Sequence, residues 1–355
     1  MKRPTLWPAH PKPYAGELLS CWVARIAHAH GLKIQTFSQL VFGREYQLWN
    51  RDIDRGAPSW LLATLAARTG TPMRVVRSLT IAAFRRRLFW HWHSSGQLRW
   101  VAPLGIYHRT RRLHGLQFCP ECLAGDDEPY FRLVWRAAVL TVCPEHQLIL
   151  RDRCPRCYAA VAFHRGEMGR PHRTITRPLC RCHRCSFDLR RAPQLRFSPY
   201  SAPAGDRAIA MARTLADRDR TGLERGHLDV LHQLAKAMVS PRRSSRLLEF
   251  VRARLHAPRV LVPRGKYAFE QRGVTERHHV LQLALSLLAT PSWIVEAWES
   301  GDVSYADLSR DFPDSPEWYR RLIAPLNRRA RTTRVTSAKI VQSQQQNRRE
   351  LLGCA

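Results

Sequence analysis

The side chains best suited to chemistry in this chain are cysteines. Cys119 and Cys122 stand two residues apart, Cys143 and His146 repeat that spacing, and twenty residues separate the two pairs. Two intervening residues let a tight turn point both donors at one cation, and a second such turn fills the other corners at about 2.0–2.3 Å. Proline directly after the first donor, at Pro120 and Pro144, stiffens those turns. A second quartet follows, with Cys154 and Cys157 paired to Cys182 and Cys185 across twenty-four residues. Cys180 is an alternative to Cys182 and His183 a weaker one; Cys182 is expected because its distance to Cys185 repeats that of the other pairs. Unmetallated buried thiols are the bland alternative, and four doublets at one spacing argue against it. The pattern predicts two structural Zn2+ ions. Each quartet already offers four protein donors, so a catalytic ion with an open position for water is the disfavoured reading.

Charge is the outlier of the composition. Fifty-eight Lys and Arg against twenty-eight Asp and Glu leave +30 on 355 residues. Such a surplus repels itself and is tolerated best when a polyanion is the partner, which points to nucleic acid or an acidic membrane. The membrane reading weakens because no apolar run approaches the ~18 residues of a spanning helix. Met1–Pro13 holds four prolines and no apolar segment, so a cytoplasmic protein with reduced thiols is expected rather than a disulfide framework. Asp126, Asp127 and Glu128 read as surface charge, since no second acidic group is spaced to complete a nuclease site. Phosphate-loop, nucleophile-elbow, HExxH and dinucleotide fingerprints are absent. The sequence therefore predicts no enzyme.

The elements around the cysteines read as helices. In LLSCWVARIAHAHG, Leu18, Trp22, Ile26 and Ala29 recur at helical spacing and Gly31 closes the run. Short helices are predicted over Phe37–Phe42, Pro58–Ala67 and Met73–Leu79, the last two joined by Thr69-Gly70-Thr71-Pro72 as in a helix-turn-helix. An αα-hairpin of a plain bundle has the same signature, and the charge tips the balance toward a recognition element with Arg74 and Arg77 one turn apart. Arg85, Arg86, Arg87, Arg111 and Arg112 are candidate phosphate contacts among Trp90, Trp92, His91 and His93. Those tryptophans serve equally well as packing between domains. Further helices are predicted over Arg207–Ala216, Leu223–Val239, Ser245–His256 and His278–Ala289, then SWIVEAWES. The whole is a mainly α fold with small zinc-stabilised modules. Its expected parts are a helical, helix-turn-helix-like domain (1–115), zinc finger 1 (116–150), zinc ribbon 2 (151–200), a helical C-terminal domain (201–326) and a basic, flexible tail (327–355).

PYAGELLSCWVARIAHAHG at Pro13–Gly31, then CPEC, PYFRLVWR at Pro129–Arg136, CPEH and CPRC resemble, in this order, the TniQ/TnsD family of transposon target-selection proteins. The likeness spans roughly Pro4–Leu189; Cys21 stands where the family more often has Ser or another small residue. The resemblance implies a non-catalytic adaptor that marks insertion sites for an AAA+ regulator of the TnsC/TniB type. Some members are homodimers on a guide-RNA CRISPR effector complex, and others act with DNA or a target-site protein. An autonomous sequence-specific DNA-binding protein of the TnsD sort, reading an attachment site by itself, is the alternative.

Overall fold

A computed structural model describes residues 5–93, 96–105, 114–168, 177–217, 224–240, 246–262 and 267–327. Arg111, Arg112 and the expected tail from residue 328 onward lie outside the described residues. The described chain is mainly helical, and its extended segments meet only in isolated antiparallel or parallel bridges, with no sheet.

The N-terminal helices are α1 (Leu19–Ala29), α2 (Ile34–Phe42), α3 (Ile53–Gly56), α4 (Ser59–Thr69) and α5 (Met73–Ser78). Helix α1 is buried along nearly its whole length, Leu18 to Ala27. A buried helix start needs partners for its free N–H groups. Here three segments supply them: Leu18 N donates to Phe131 O (2.9 Å), Leu19 N to Leu79 O (3.0 Å) and Ser20 N to Asp54 Oδ1 (2.8 Å). Gly31, at φ +66, closes the other end as Leu32 N returns to Ala27 O. Gly70 does the same for α4, at φ +62 with Thr71 N on Ala66 O, and turns the chain into α5. Helix, short turn and helix thus follow one another as predicted, with a second helix of six residues.

After the cysteine region, α6 being Pro120–Gly125, come α7 (Ala202–Ala216), α8 (Arg225–Met238), α9 (Leu247–Arg254), α10 (Val274–Ala289), α11 (Ser292–Glu299), α12 (Tyr305–Ser309) and a final helical run at 317–327. Helix α10 is the axis of this half, packed by α7, α8 and α9 and buried on every side. It begins four residues before the predicted His278, because its first N–H is capped from another part of the chain: Asp152 Oδ2 accepts from Val274 N at 2.7 Å. No single helix among the described residues is long and apolar enough to cross a membrane. Helices α10 and α11 together reach that length but are bent by 104°.

Two buried histidines in α10 make the half pH-sensitive. His278 meets Thr141 Oγ1 at 3.1 Å and His279 meets Tyr200 Oη at 2.8 Å. Burial pushes both down to about 4. Between that value and the ordinary 6.5 the unfolded chain binds protons that the folded one refuses, so stability falls as the pH drops through this window, by about 3 kcal/mol for His278. His278→Gln is expected to flatten the dependence of the melting temperature on pH between 6.5 and 4. Metal loss on acidification affects both proteins alike, so parallel curves would contradict the assignment.

Close backbone approach fixes one glycine. A Cβ on Gly115 would lie 2.1 Å from Val161 N and 2.4 Å from Val161 O. Gly115→Ala is expected to lower stability by about 3 kcal/mol, at or above the upper end for overpacking, since backbone rather than a side-chain tip must move. A denaturant midpoint equal to that of the unaltered protein would refute this.

Candidate metal centres

Two groups of donors converge. Cys119, Cys122, Cys143 and His146 form one, and Cys154, Cys157, Cys182 and Cys185 the other; within each, the donor atoms lie within 4.8 Å of one another. Four ligands about 2.3 Å (S) or 2.0–2.1 Å (N) from a tetrahedral zinc have edges of about 3.5–3.8 Å. The first site shows Cys122 Sγ–Cys143 Sγ at 3.5 Å, and His146 Nδ1 at 3.7, 3.4 and 3.6 Å from Cys119, Cys122 and Cys143. The second shows Cys154–Cys185 and Cys157–Cys182 at 3.6 Å each. The donor type and the edge lengths both suit a tetrahedral metal of the zinc kind. Cys182, rather than Cys180, is the member of the second group, and Cys180 is buried outside it.

Local backbone explains how the spacing works. Three of the four half-sites are the same turn. The first cysteine's N–H bonds to the carbonyl five residues on (Cys143 to Leu148, 2.8 Å; Cys154 to Ala159, 2.9 Å; Cys182 to Phe187, 2.8 Å). The residue after the second donor is left-handed: Gln147 at φ 51, Tyr158 at φ 60 and Ser186 at φ 63. None of these is glycine, so sequence patterns that look for glycine in such turns pass over them. The fourth half-site differs: Cys119 is the N-cap of α6, Pro120 occupies its first turn and Cys122 projects from it.

Thiols crowded like this cannot all ionise unaided. Hydrogen bonds from Cys119 and Cys122 hold Cys143 far below the usual thiol range, while those with Cys119 and Cys143 push Cys122 far above it. Burial raises Cys182 to about 12. A divalent cation supplies the missing compensation and favours thiolate at every sulfur.

The first site is welded to the N-terminal helices by charged groups. Glu17 is fully buried and pairs with Arg25 at 2.9 Å; Arg25 also reaches Glu128 and lies 3.7 Å over the Tyr14 ring. Burial raises Glu17 to about 7 although Arg25 opposes the shift. Leu133 N donates to Gly16 O at 2.7 Å, and Tyr14 stacks near Tyr130 at 4.8 Å. Arg136 forks onto Asp52 (2.6 Å) and Asp54 (3.2 Å), and Asp54 in turn accepts from Ser20. Asp126 pairs with Arg132 at 2.7 Å. The expected surface role of the acidic cluster is thus a set of ion pairs for two of its three members.

The basic candidates separate. Arg74, Arg77, Arg85 and Arg86 are exposed. Arg87 is half-buried and donates to Thr214 O (2.5 Å) and Asp217 O (3.0 Å), holding the end of α7, so this side chain is a joint between halves rather than a free phosphate contact. Arg225 lies 4.6 Å over Trp90, which is the domain-junction use of that tryptophan, whereas Trp92 packs within its own segment on Phe89 at 5.9 Å. His91 and His93 join no metal-binding group among the described residues.

Sequence reasoning missed a fully buried arginine. Arg277 of α10 donates to Arg272 O (2.9 Å), Ala138 O and Gln117 Oε1 (3.2 Å), and burial lowers it to about 10. It ties the C-terminal helices to the segment between the two half-sites of the first metal centre. Its position in the polar stretch Thr275–His279, ahead of the apolar run of the helix, carried no signal of that role.

A search of curated proteins finds no match to the chain. The TniQ family model matches residues 8–150, shorter than the resemblance over 4–189, and takes in the N-terminal helices and the whole first metal centre but not the second. Residues 8–150, whose buried ion pairs and first donor quartet form one packed unit, are a TniQ domain, a domain associated with transposition, in target selection.

Proposed function

We propose that the chain is a non-catalytic adaptor that links a nucleic-acid target, or a complex bound to it, to an AAA+ transposition regulator of the TnsC/TniB type. The observation that carries this reading is the TniQ match over 8–150 on a domain whose metal group is already filled by four protein donors. Two Zn2+ ions are structural in this reading, with Cys119, Cys122, Cys143 and His146 on one and Cys154, Cys157, Cys182 and Cys185 on the other. The division at residues 115, 150, 200 and 326 belongs to the same proposal. Arg74 and Arg77 on α5, with Arg85 and Arg86 beyond it, present positive charge for phosphate contact. Electrostatic contact of this kind is sequence-blind, so the adaptor gains site choice from its partners.

The test is a titration of the purified full chain against random and attachment-site DNA over a range of salt, alongside co-elution with the AAA+ regulator from the same transposon. The adaptor reading expects weak, salt-sensitive, indiscriminate DNA binding together with a stable complex. Nanomolar discrimination by the chain alone would replace it with the TnsD-type reading, and metal-dependent cleavage of DNA would replace it with an enzyme.

A further inference from the structure

The two metal modules share a plan and carry opposite charge. Between the donors of the first stand Glu121 and Glu145, in CPEC and CPEH; the equivalent positions of the second are Arg156 and Arg184, in CPRC and CHRC. Residues 116–150 hold five acidic side chains against two arginines, whereas 151–200 hold three against twelve arginines. The three acids of the second module are also withdrawn from the surface. Asp152 caps α10, Glu167 accepts from His28, Ile34 N and Arg177 N, and Asp188 pairs with Arg190 and Arg181; all three are buried. The exposed charge of that module is therefore positive throughout its described residues. At its tip, Arg156 and Arg184 are exposed and make no ion pair. Tyr158, 74% exposed in the left-handed position after Cys157, offers an aromatic face with the Arg153 guanidinium 5.6 Å from its ring.

We infer that the tip of the second metal module, with Arg156 and Arg184 on paired turns and Tyr158 beside them, is a docking surface for the phosphodiester backbone of nucleic acid. The inference rests on the reading of the chain as a protein that works on nucleic acid, and it places a contact beyond the TniQ match and apart from α5. Turns closed by converging donors fix the backbone that carries the two guanidiniums, whose planar forks suit phosphate, and an exposed ring beside a guanidinium suits base stacking or sugar contact. The corresponding tip of the first module repels phosphate. Its Glu121 is hydrogen-bonded to Gln194 and Glu145 is exposed.

The experiment uses the zinc-loaded full chain with Arg156→Gln and Arg184→Gln combined, and Glu121→Gln with Glu145→Gln as the control. Zinc content and melting temperature establish that each variant is folded, Arg156→Ala with Arg184→Ala replaces the glutamine pair if that pair loses metal, and Arg156→Lys with Arg184→Lys keeps the charge alone. Fluorescence anisotropy is read against salt with a random-sequence DNA duplex and, separately, an RNA hairpin. The expected result for the glutamine pair is a loss of affinity of about tenfold or more, with the salt slope shallower by about two contacts. The lysine pair, which keeps charge but not the fork, would retain the slope and lose less affinity. Loss confined to the duplex identifies DNA as the source of the phosphates, and loss confined to the hairpin identifies RNA. Unchanged affinity and slope, with the unaltered protein binding normally, would overturn this inference alone. No binding of either probe by the unaltered protein would overturn the nucleic-acid reading beneath it.

Discussion

Cys119→Ser is expected to release one of two zinc ions per chain and to lower the melting temperature by more than about 10 °C. The size follows from the coupling of metal binding to folding, about 10–16 kcal/mol for a structural zinc in isolation, of which a folded neighbourhood retains part. Cys119 is fully buried, and its site sits against Leu123, Phe131 and Trp135, which continue into the core around α1. Loss of the ion therefore leaves crowded thiols in apolar surroundings and removes the clamp between α6 and the turn at Cys143. Cys157→Ser is expected to release the other ion with a smaller fall, since Cys157 and Cys185 are half-exposed at the rim of their module. Elemental analysis beside a melting curve checks both. Two retained ions and an unshifted transition in either variant would refute the assignment of that quartet.

The second large effect is expected at Arg136. Its guanidinium is 1% exposed and bonds in parallel to Asp52, with a further contact to fully buried Asp54. Removing one partner of a buried pair strands the other, at a cost of about 3–5 kcal/mol. Arg136→Met is expected to destabilise the chain by that amount, and Arg136→Lys to recover little because an ammonium cannot reproduce the fork. Burial already holds Asp54 up at about 6 with Arg136 present. A carboxyl raised in this way favours folding while protonated, and that contribution is lost as pH rises through its folded value. Without Arg136 the value climbs further, so the deficit of Arg136→Met should be larger at pH 8 than at pH 5.5. Urea midpoints at the two pH values measure this; an equal deficit at both, or a full rescue by lysine, would count against the buried pair.

Much of the donor geometry was legible because the relevant information is local. A Cys-x-x-Cys turn needs only its own residues to aim two sulfurs, and the preference for Cys182 over Cys180 followed from spacing alone. The helices with a clear apolar period, α1, α4, α7 and α8, were likewise visible. Boundaries set from afar were not. Helix α10 starts at Val274 because Asp152, more than a hundred residues earlier, caps it. The left-handed residues Gln147, Tyr158 and Ser186 were hidden because the turn geometry, held by the paired donors, overrides side-chain preference. Arg87 and Arg277 show the same limit for charge. Basic side chains next to aromatic or apolar runs looked alike in sequence, yet one clasps the end of α7 and the other is wholly enclosed.

Residues that carry the family likeness also have a physical reason to occur together. Tyr14, Gly16, Glu17 and Arg25 from the first motif close on Tyr130, Arg132 and Leu133 from the second and on Glu128 just before it, beside the first metal centre. That packing joins the N-terminal helices to the cysteine turns.

X-ray absorption at the zinc edge, combined with elemental analysis of the purified chain, bears most directly on the closed metal sites. Seven sulfur donors and one imidazole nitrogen shared between two tightly held ions, all at tetrahedral distances, is the expected result. Fewer than two ions per chain, or an oxygen donor from water in either coordination shell, would contradict it.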